Sequence, residues 1–323
     1  MGTPIVSVAV VQTGGMSDDI AANVAAIVDL GRAAVTEIRL RGDDVDLLVL
    51  PELSTTPYFG ASTSRDRSYW AEDIDGPTVR TFRAASRELH CAIAFGFFEC
   101  VASGAMYNSF LVIDRTGKLV PWTSATGGSF TAYRKLALPS VSMGGVEIDE
   151  KRFFTPGAES AVFDLFGVRF GCAICYDRSF PENWLIARAL GAQVMLVPVS
   201  SLGSRQHMFT AELRTRAMES QMWVAAANRG GDEVLDGDTV CYFGDSVVVD
   251  PSGEIVTQAP SNTAGEVIDA AMDIARVLSS RAGFALARDR RPDVIRMLSR
   301  LTDGQAEVTS PSSMESEIER TNR

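Results

Sequence analysis

The chain has 323 residues, of which 46% are hydrophobic and 22% are charged, so it is a folded globular protein rather than a disordered one. Thirty Lys and Arg against 41 Asp and Glu give a formal net charge of −11, which argues against nucleic acid or an anionic membrane surface as a partner. No apolar run reaches the ~20 residues of a membrane-spanning helix, and the N-terminus lacks the basic segment of a secretion signal. We therefore expect a soluble, cytoplasmic protein.

The thiols and imidazoles limit the chemistry that is available. Five cysteines, an odd number in a chain without a secretion signal, predict reduced thiols rather than a disulfide framework. The sequence contains only two histidines, His90 and His207, which removes most metal sites and most histidine-based triads. Any catalysis is therefore expected to rely on other residues.

The first part of the chain alternates strands and helices. Apolar runs and period-two patterns predict strands at 4–12, 45–50, 91–98, 107–114 and 118–122. Amphipathic periodicity predicts helices at 18–41 and 77–89. The last two strands are expected to form a hairpin, because Arg115-Thr-Gly117 between them has turn composition. A Gly/Ser/Thr-rich loop follows at 123–131.

The second part continues the alternation. The expected strands are 162–165, 168–174, 193–199, 222–227, 239–250 and 254–258. The expected helices are 181–190, which begins at a proline, and 205–221. Hairpins mixed with crossover helices predict an α/β protein with a mixed sheet system covered by helices.

The chain is expected to form one domain, residues 1–301, followed by a polar tail, 302–323, that is either mobile or located at an oligomer interface. Residues 276–300 contain seven arginines in an otherwise acidic protein. A solvated helix face explains such a segment, and so does an interface between copies of the chain.

Cys175 is the leading candidate for a reactive group, because it stands where an apolar strand ends and before a helix that starts at Pro181. Cys172 precedes it by three residues, so a redox or zinc C-x-x-C motif has to be considered. Side chains alternate along a strand, which turns the two thiols to opposite faces, and no second C-x-x-C completes a zinc site. We interpret Cys172 as a buried core thiol.

A thiol nucleophile needs a base or a cationic neighbour, since its usual pKa is ~8.5. His207 could pair with Cys175, but a lone histidine in a polar segment is more often simply solvated. Glu52, at the end of the predicted buried strand 45–50, and Lys135, beside a glycine-rich loop, are better placed. Each of them alone is equally consistent with a surface charge.

Four sequence blocks taken together resemble the nitrilase superfamily of carbon–nitrogen hydrolases. The blocks are Pro51-Glu-Leu53, Tyr133-Arg-Lys135, Glu150-Lys-Arg-Phe-Phe-Thr-Pro-Gly157 and Gly171-Cys-Ala-Ile-Cys-Tyr-Asp177. Further blocks continue the same order as far as Asp250-Pro-Ser-Gly253, so the resemblance spans nearly the whole chain. One departure is Ala137, where many relatives carry a histidine.

This resemblance implies a four-layer α-β-β-α sandwich and assigns roles to particular residues. Cys175 would be the nucleophile, Glu52 the general base, and Lys135 the oxyanion stabiliser together with the backbone N–H of Tyr176. Glu150 would be a second glutamate that holds Lys135 or the substrate nitrogen. A thioester acyl-enzyme would form and then be hydrolysed. These roles imply no cofactor, neither a metal nor an organic group.

The residues after the nucleophile indicate the substrate. Tyr176-Asp177 resembles amide and carbamoyl hydrolases more than nitrilases, which follow the cysteine with Trp-Glu. Arg178 resembles the arginine that binds the substrate carboxylate in N-carbamoyl amino acid amidohydrolases of the β-ureidopropionase type, although it could instead pair with Glu182. A small carbamoyl substrate is therefore favoured, with an aliphatic or ω-amide as the alternative. A nitrilase, or an inactive binding module on the same fold, remains a minor alternative.

Family members commonly pair sandwich to sandwich, so the resemblance also predicts a homo-oligomer, a dimer or higher. The sequence does not define the substrate pocket itself, because loops such as 54–70 and 123–131 are expected to line it.

Overall fold

The structure, a computed structural model, describes residues 2–308 except 65 and 144–145. Its strands are β1 (Ile5–Gln12), β2 (Leu47–Val49), β3 (Ala92–Cys100), β4 (Met106–Ile113), β5 (Trp122–Ser124), β6 (Ser129–Phe130), β7 (Tyr133–Arg134), β8 (Ser140–Met143), β9 (Val146–Asp149), β10 (Ala161–Leu165), β11 (Val168–Cys172), β12 (Val194–Pro198), β13 (Trp223–Ala227), β14 (Gly230–Leu235), β15 (Asp238–Phe243), β16 (Val247–Val249), β17 (Ile255–Gln258) and β18 (Glu266–Asp273). Its α-helices are α1 (Ile20–Leu40), α2 (Pro77–Leu89), α3 (Pro181–Ala189), α4 (Gln206–Ser220), α5 (Ile274–Gly283), α6 (Leu286–Asp289) and α7 (Pro292–Val308).

Two large sheets form the centre of the fold. The first has six strands in the order β18-β1-β2-β3-β4-β7, and the second has eight in the order β17-β16-β13-β12-β11-β10-β5-β6. The middle strands β1, β2 and β3 run parallel to one another, as do β11, β12 and β13. Parallel strands bring their carboxyl ends to one edge of a sheet, which is where α/β folds place ligands.

The alternation of side chains along β1 builds two different cores. Val8 and Val10 pack between the sheets in one cluster that also contains Val194 and Leu196 of the second sheet. Ala9, on the opposite face of β1, packs in a second cluster against the helices that cover the first sheet. Both faces of β1 are therefore buried, which explains its nearly continuous apolar sequence.

Helices cover the outer face of each sheet. Ile27 of α1 and Phe82 of α2 belong to the cluster on the outer face of the first sheet. Trp184 of α3 and Leu213 of α4 belong to the cluster that also fills the space between the sheets. Each such side chain stabilises the fold by roughly 1.5–3 kcal/mol through removal of apolar surface from water. The layers follow the order helix, sheet, sheet, helix, and the expected α-β-β-α sandwich is confirmed.

Two expected strands differ from the prediction. The predicted hairpin after β4 is present but short: Leu119 bridges Ile113, and backbone hydrogen bonds of 2.8 Å join Asp114 to Lys118 and Val120 to Val112, before the chain enters β5 of the other sheet. Residues 239–250 do not form one strand but two, β15 and β16. The chain turns between them where Gly244 (φ 72°) and Asp245 (φ 58°) adopt left-handed conformations, so the two strands belong to different sheets.

The apolar pattern also missed several strands that lie partly in solvent. The missed strands are β8 and β9, β14, and β18. The hairpins β8/β9 and β14/β15 form separate two-stranded sheets, and β18 pairs antiparallel with β1 at the edge of the six-stranded sheet. The predicted hairpin between β16 and β17 is confirmed.

The chain divides into two compact units, Met1–Ser280 and Arg281–Arg323. Helix α7, in the second unit, continues to Val308 and so extends past the predicted domain boundary at 301–302. Residues 309–323 of the predicted tail lie outside the described residues. None of the helices in the described part of the chain combines the length and the apolar character that a membrane span requires.

Candidate active site

The predicted catalytic residues come from strand ends that meet at one place. Glu52 follows β2, Lys135 follows β7 directly, and Cys175 follows β11. Glu52, Lys135 and Glu150 are completely buried, and the side chain of Cys175 is 8% exposed. Two sheets thus contribute charged groups and a thiol to one interior site.

Lys135 lies between two carboxylates. Its Nζ is 2.7 Å from Oε1 of Glu52 and 2.7 Å from Oε1 of Glu150. Burial disfavours an isolated charge, but one ammonium shared by two glutamates compensates much of that cost. The structure therefore brings together three of the residues that the sequence singled out.

Two side chains that the sequence did not single out complete this network. Asn108 Nδ2 donates to Oε1 of Glu52 at 2.8 Å, and the Tyr58 hydroxyl donates to Oε1 of Glu150 at 2.6 Å. The second carboxylate oxygens, Oε2 of Glu52 and of Glu150, are buried and accept no hydrogen bond from any described residue. These oxygens can accept protons or hydrogen bonds from a bound molecule.

Cys175 adopts a strained backbone conformation with φ of 48°, and it begins the short 3₁₀ helix Cys175–Ser179. The N–H groups of a first helical turn have no acceptor within the helix, which leaves the N–H of Tyr176 available to an oxyanion. Ser201 Oγ lies 3.8 Å from the Cys175 sulfur, and no described hydrogen bond joins the exposed His207 to that sulfur.

Burial and charge determine the protonation of these groups. Burial raises the pKa of Cys175 to about 11, with a further increase from the Glu52 carboxylate that Lys135 and Arg178 partly offset. Burial lowers the pKa of Lys135, but Glu150 and Glu52 outweigh it and hold the pKa above its usual value. At neutral pH the ammonium is charged and the thiol is protonated, so a nucleophilic thiol here needs a base.

Asp177 connects the segment of Lys135 to that of Cys175. Its carboxylate accepts hydrogen bonds from the backbone N–H of Ala137 at 2.8 Å, Leu136 at 3.2 Å and Ile174 at 3.2 Å. Burial raises the pKa of Asp177 to about 7, while these three donors act to lower it. The short Ala137 side chain leaves this link to the backbone alone.

Arg178 pairs with a residue that the sequence did not suggest. Its Nε donates to Glu212 Oε2 at 3.1 Å and its Nη1 to the Cys175 carbonyl oxygen at 2.8 Å, with Nη1 also 3.7 Å from the sulfur. The alternative ion pair between Arg178 and Glu182 is wrong. Phe180 separates the 3₁₀ helix from α3, so Arg178 and Glu182 do not share a helix face.

A buried ion pair holds the segment that follows Glu52. Arg229 donates from Nη1 to Glu233 at 2.7 Å and from Nη2 to the carbonyl oxygens of Leu53 at 2.6 Å and Thr56 at 2.7 Å. Leu53 has a left-handed φ of 44°, a conformation that such contacts stabilise. Gly96 packs against this turn, where a Cβ would lie 2.3 Å from the Leu53 nitrogen.

A cavity of about 230 Å³ opens onto Cys175. Its lining residues are Tyr58, Pro139, Val141, Ile148, Cys175, Tyr176, Arg178, Ser200, Ser201, Leu202 and Arg205. Tyr58 confirms the expected contribution of loop 54–70. The expected contribution of 123–131 was wrong: these residues contribute no described lining residue, and β5 and β6, near the two ends of the segment, belong to the eight-stranded sheet.

Sequence reasoning missed Tyr58, Asn108, Ser201 and Glu212 because they reach the site from distant segments. Of these four residues, Ser201 has the clearest sequence signal, because it follows an apolar strand, as Cys175 does. Tyr58 and Asn108 have no sequence signal that separates them from ordinary core or strand residues. Among the described residues, no group of three or more His, Cys, Asp or Glu side chains is arranged to hold a metal ion.

Comparisons with known proteins agree with the fold and show the family. The carbon-nitrogen hydrolase family model matches residues 7–282. N-carbamoylputrescine amidase of Solanum lycopersicum is 30% identical over 308 residues, covering 91% of this chain and 95% of that protein. Citrullinase of Francisella tularensis is 27% identical over 258 residues, covering 77% of this chain and 84% of that protein.

Among solved structures, Saccharomyces cerevisiae Nit3, a member of branch 10 of the nitrilase superfamily, superimposes with a TM-score of 0.73. It is 25% identical, with 89% of this chain and 97% of that chain covered. The family-model match, the similar relatives and the four-layer fold lead to one conclusion: the chain belongs to the carbon-nitrogen hydrolase family of the nitrilase superfamily, and it is an amidohydrolase.

Proposed function

We propose that the protein is an N-carbamoyl amino acid amidohydrolase that releases ammonia and carbon dioxide. The observation that carries this proposal is the cavity at Cys175, whose charged lining side chains are the two arginines Arg178 and Arg205. Arginine suits the carboxylate of an amino acid. The similar relatives named N-carbamoylputrescine amidase and citrullinase support a carbamoyl group as the part that is cleaved.

In the first step, the Cys175 sulfur attacks the carbamoyl carbon. Glu52 accepts the thiol proton and returns it to the departing nitrogen, so that ammonia leaves and the carbon remains bonded to sulfur. Lys135 and the backbone N–H of Tyr176 stabilise the oxyanion of the tetrahedral intermediate. Glu150, which bonds Lys135 Nζ at 2.7 Å, keeps the ammonium in position.

In the second step, Glu52 removes a proton from water, which attacks the thioester carbon and releases the sulfur. The product is a carbamate of the amino acid, which decomposes to the free amino acid and carbon dioxide. Arg178 lies beside the nucleophile and binds the substrate carboxylate through Nη2, which donates to no described residue. The carboxylate oxygens without partners on Glu52 and Glu150 supply the acceptors that these proton transfers require.

A substrate panel tests this function. N-carbamoyl amino acids are expected to yield ammonia and carbon dioxide in equal amounts, because cleavage of a ureido group releases both. Primary amides yield ammonia alone. Both products are measured separately for matched ureido and amide substrates of the same chain length. If the protein cleaves the amides and releases no carbon dioxide from any ureido compound, the carbamoyl assignment is refuted in favour of an aliphatic or ω-amidase.

We also propose that the chain forms a homo-oligomer, a dimer or higher, through its C-terminal segment. Helix α7 exposes apolar side chains in addition to its arginines, with Leu298 60% and Leu301 62% exposed. Exposed apolar side chains spaced along one helix are typical of an interface with a second copy.

Light scattering is expected to give at least twice the mass of one chain. The double variant Leu298→Glu and Leu301→Glu should shift the protein towards the monomer, because it places charge in the interface. Leu40→Glu, at an 83% exposed position at the end of α1, is the matched control and should leave the mass unchanged. A wild-type protein of single-chain mass at every concentration would contradict this proposal.

A further inference from the structure

Arg205 is a cationic side chain of the cavity without a partner in the described part of the chain. Arg205 ends the short 3₁₀ helix Gly203–Arg205 and lines the cavity that opens onto Cys175. No described residue forms a hydrogen bond or an ion pair with its guanidinium. Lys135, by contrast, is neutralised by two glutamates, and Arg178 pairs with Glu212. The positive charge of Arg205 is therefore uncompensated.

The backbone around Arg205 adds to the positive potential. Arg205 is the residue before α4, and its side chain does not cap that helix. The first turn of α4 contains no acidic residue of its own, although the side chain of Gln206 donates to Asp245 Oδ2 at 3.0 Å. The partial positive charge of a helix N-terminus favours an anionic group, but the guanidinium of Arg205 is the main positive charge at this end of the cavity.

The rest of the lining offers no opposing charge. Apart from the two arginines, the lining side chains are apolar or neutral, namely those of Pro139, Val141, Ile148, Leu202, Tyr58, Tyr176, Ser200, Ser201 and the Cys175 thiol. Apolar walls reduce screening by water, which strengthens the interaction between an arginine and a bound anion. An ammonium group in the same position would meet Arg205 without a carboxylate to bind it.

We propose that Arg205 selects the substrate by charge: it binds the carboxylate of the carbamoyl compound together with Arg178 Nη2, and it excludes compounds that carry an ammonium there. This inference rests on the proposed function. Arg178 has two of its donor nitrogens committed to Glu212 and to the Cys175 carbonyl, so it orients the substrate beside the nucleophile, whereas Arg205 provides the net charge.

Three ureido compounds of similar length test the inference: one ending in a carboxylate, one in a methyl group and one in an ammonium. In Arg205→Gln, the KM for the carboxylate compound should rise about 10- to 100-fold, the range for loss of a charge-assisted contact, with kcat changed much less. Arg205→Lys should recover most of this affinity. Arg205→Glu should reverse the order, so that the ammonium compound becomes a better substrate than the carboxylate compound.

Lys118→Gln is the control for loss of one positive charge, because Lys118 is exposed and does not line the cavity. Its kinetics should match the wild type for all three compounds. If the wild type cleaves none of them, the proposed function fails. If the wild type cleaves them but Arg205→Gln and Arg205→Glu leave the ratio of kcat/KM among the three unchanged, the proposed function stands and the role of Arg205 is refuted. Melting curves establish that each variant is folded.

Discussion

Cys175→Ala is expected to reduce ammonia release to the uncatalysed background, a loss of about 10⁴-fold or more. The reason is that no other thiol can replace it. Cys175 is the cysteine that lines the cavity, and its sulfur is the atom near which Lys135 and Glu52 place their charges. Rapid quenching and mass spectrometry of the wild type should detect the acylated cysteine, and the same measurement on the variant should not.

Cys172→Ala provides the matched control. Cys172 is three residues away, 2% exposed and packed in the core between the sheets, so the substitution should lower the free energy of unfolding by about 1 kcal/mol and leave kcat nearly unchanged. Burial also holds the pKa of Cys172 well above its usual value, which makes it unreactive. Catalysis that survives in Cys175→Ala and disappears in Cys172→Ala would overturn the assignment of the nucleophile.

The sequence pattern alone indicates those candidate site residues that directly follow an apolar strand. Glu52 and Cys175 follow β2 and β11, so the alternation of apolar runs with turn residues already indicated where their side chains emerge. Lys135 has no comparable local signal, because β7 is only two residues long. It was found through the resemblance of its sequence block to a family.

The contacts that hold the site could not be read from the sequence, because they depend on how distant segments pack. Tyr58 and Glu150 are 92 residues apart, and Arg178 and Glu212 are 34 apart. The local rule for Arg178 favoured Glu182, four residues on, but it assumes one continuous helix. The break at Phe180 removes that geometry, and Arg178 pairs with Glu212 of α4 instead.

Lys135→Met should lower kcat by about 10³-fold, because the oxyanion loses a positively charged donor. The same substitution should also lower the free energy of unfolding by about 3–5 kcal/mol near pH 8, since it leaves Glu52 and Glu150 buried without their shared ammonium. Methionine has a similar length and no charge, so the loss of stability reflects removal of the charge rather than creation of a cavity. Ammonia release and chemical denaturation measure the two effects.

The stability of Lys135→Met should depend on pH in a defined direction. Burial and the Glu52 carboxylate raise the pKa of Glu150, and loss of the Lys135 ammonium removes the main opposing effect, so the pKa of Glu150 rises further above the unfolded value of ~4.3. A carboxyl group whose pKa is raised on folding contributes stability that is present below the unfolded pKa and is lost as the pH rises through the folded pKa. The variant should therefore come closer to wild-type stability at pH 5 than at pH 8.

Adding Glu150→Gln to Lys135→Met separates stability from catalysis. The second substitution removes one of the two buried negative charges, so the double variant should regain part of the lost stability and lose most of the pH dependence. It should remain inactive, because glutamine cannot supply the positive charge that the oxyanion needs. If the double variant regained activity along with stability, Lys135 would act only by holding the two carboxylates together, and the oxyanion would have to be stabilised by backbone donors such as the N–H of Tyr176.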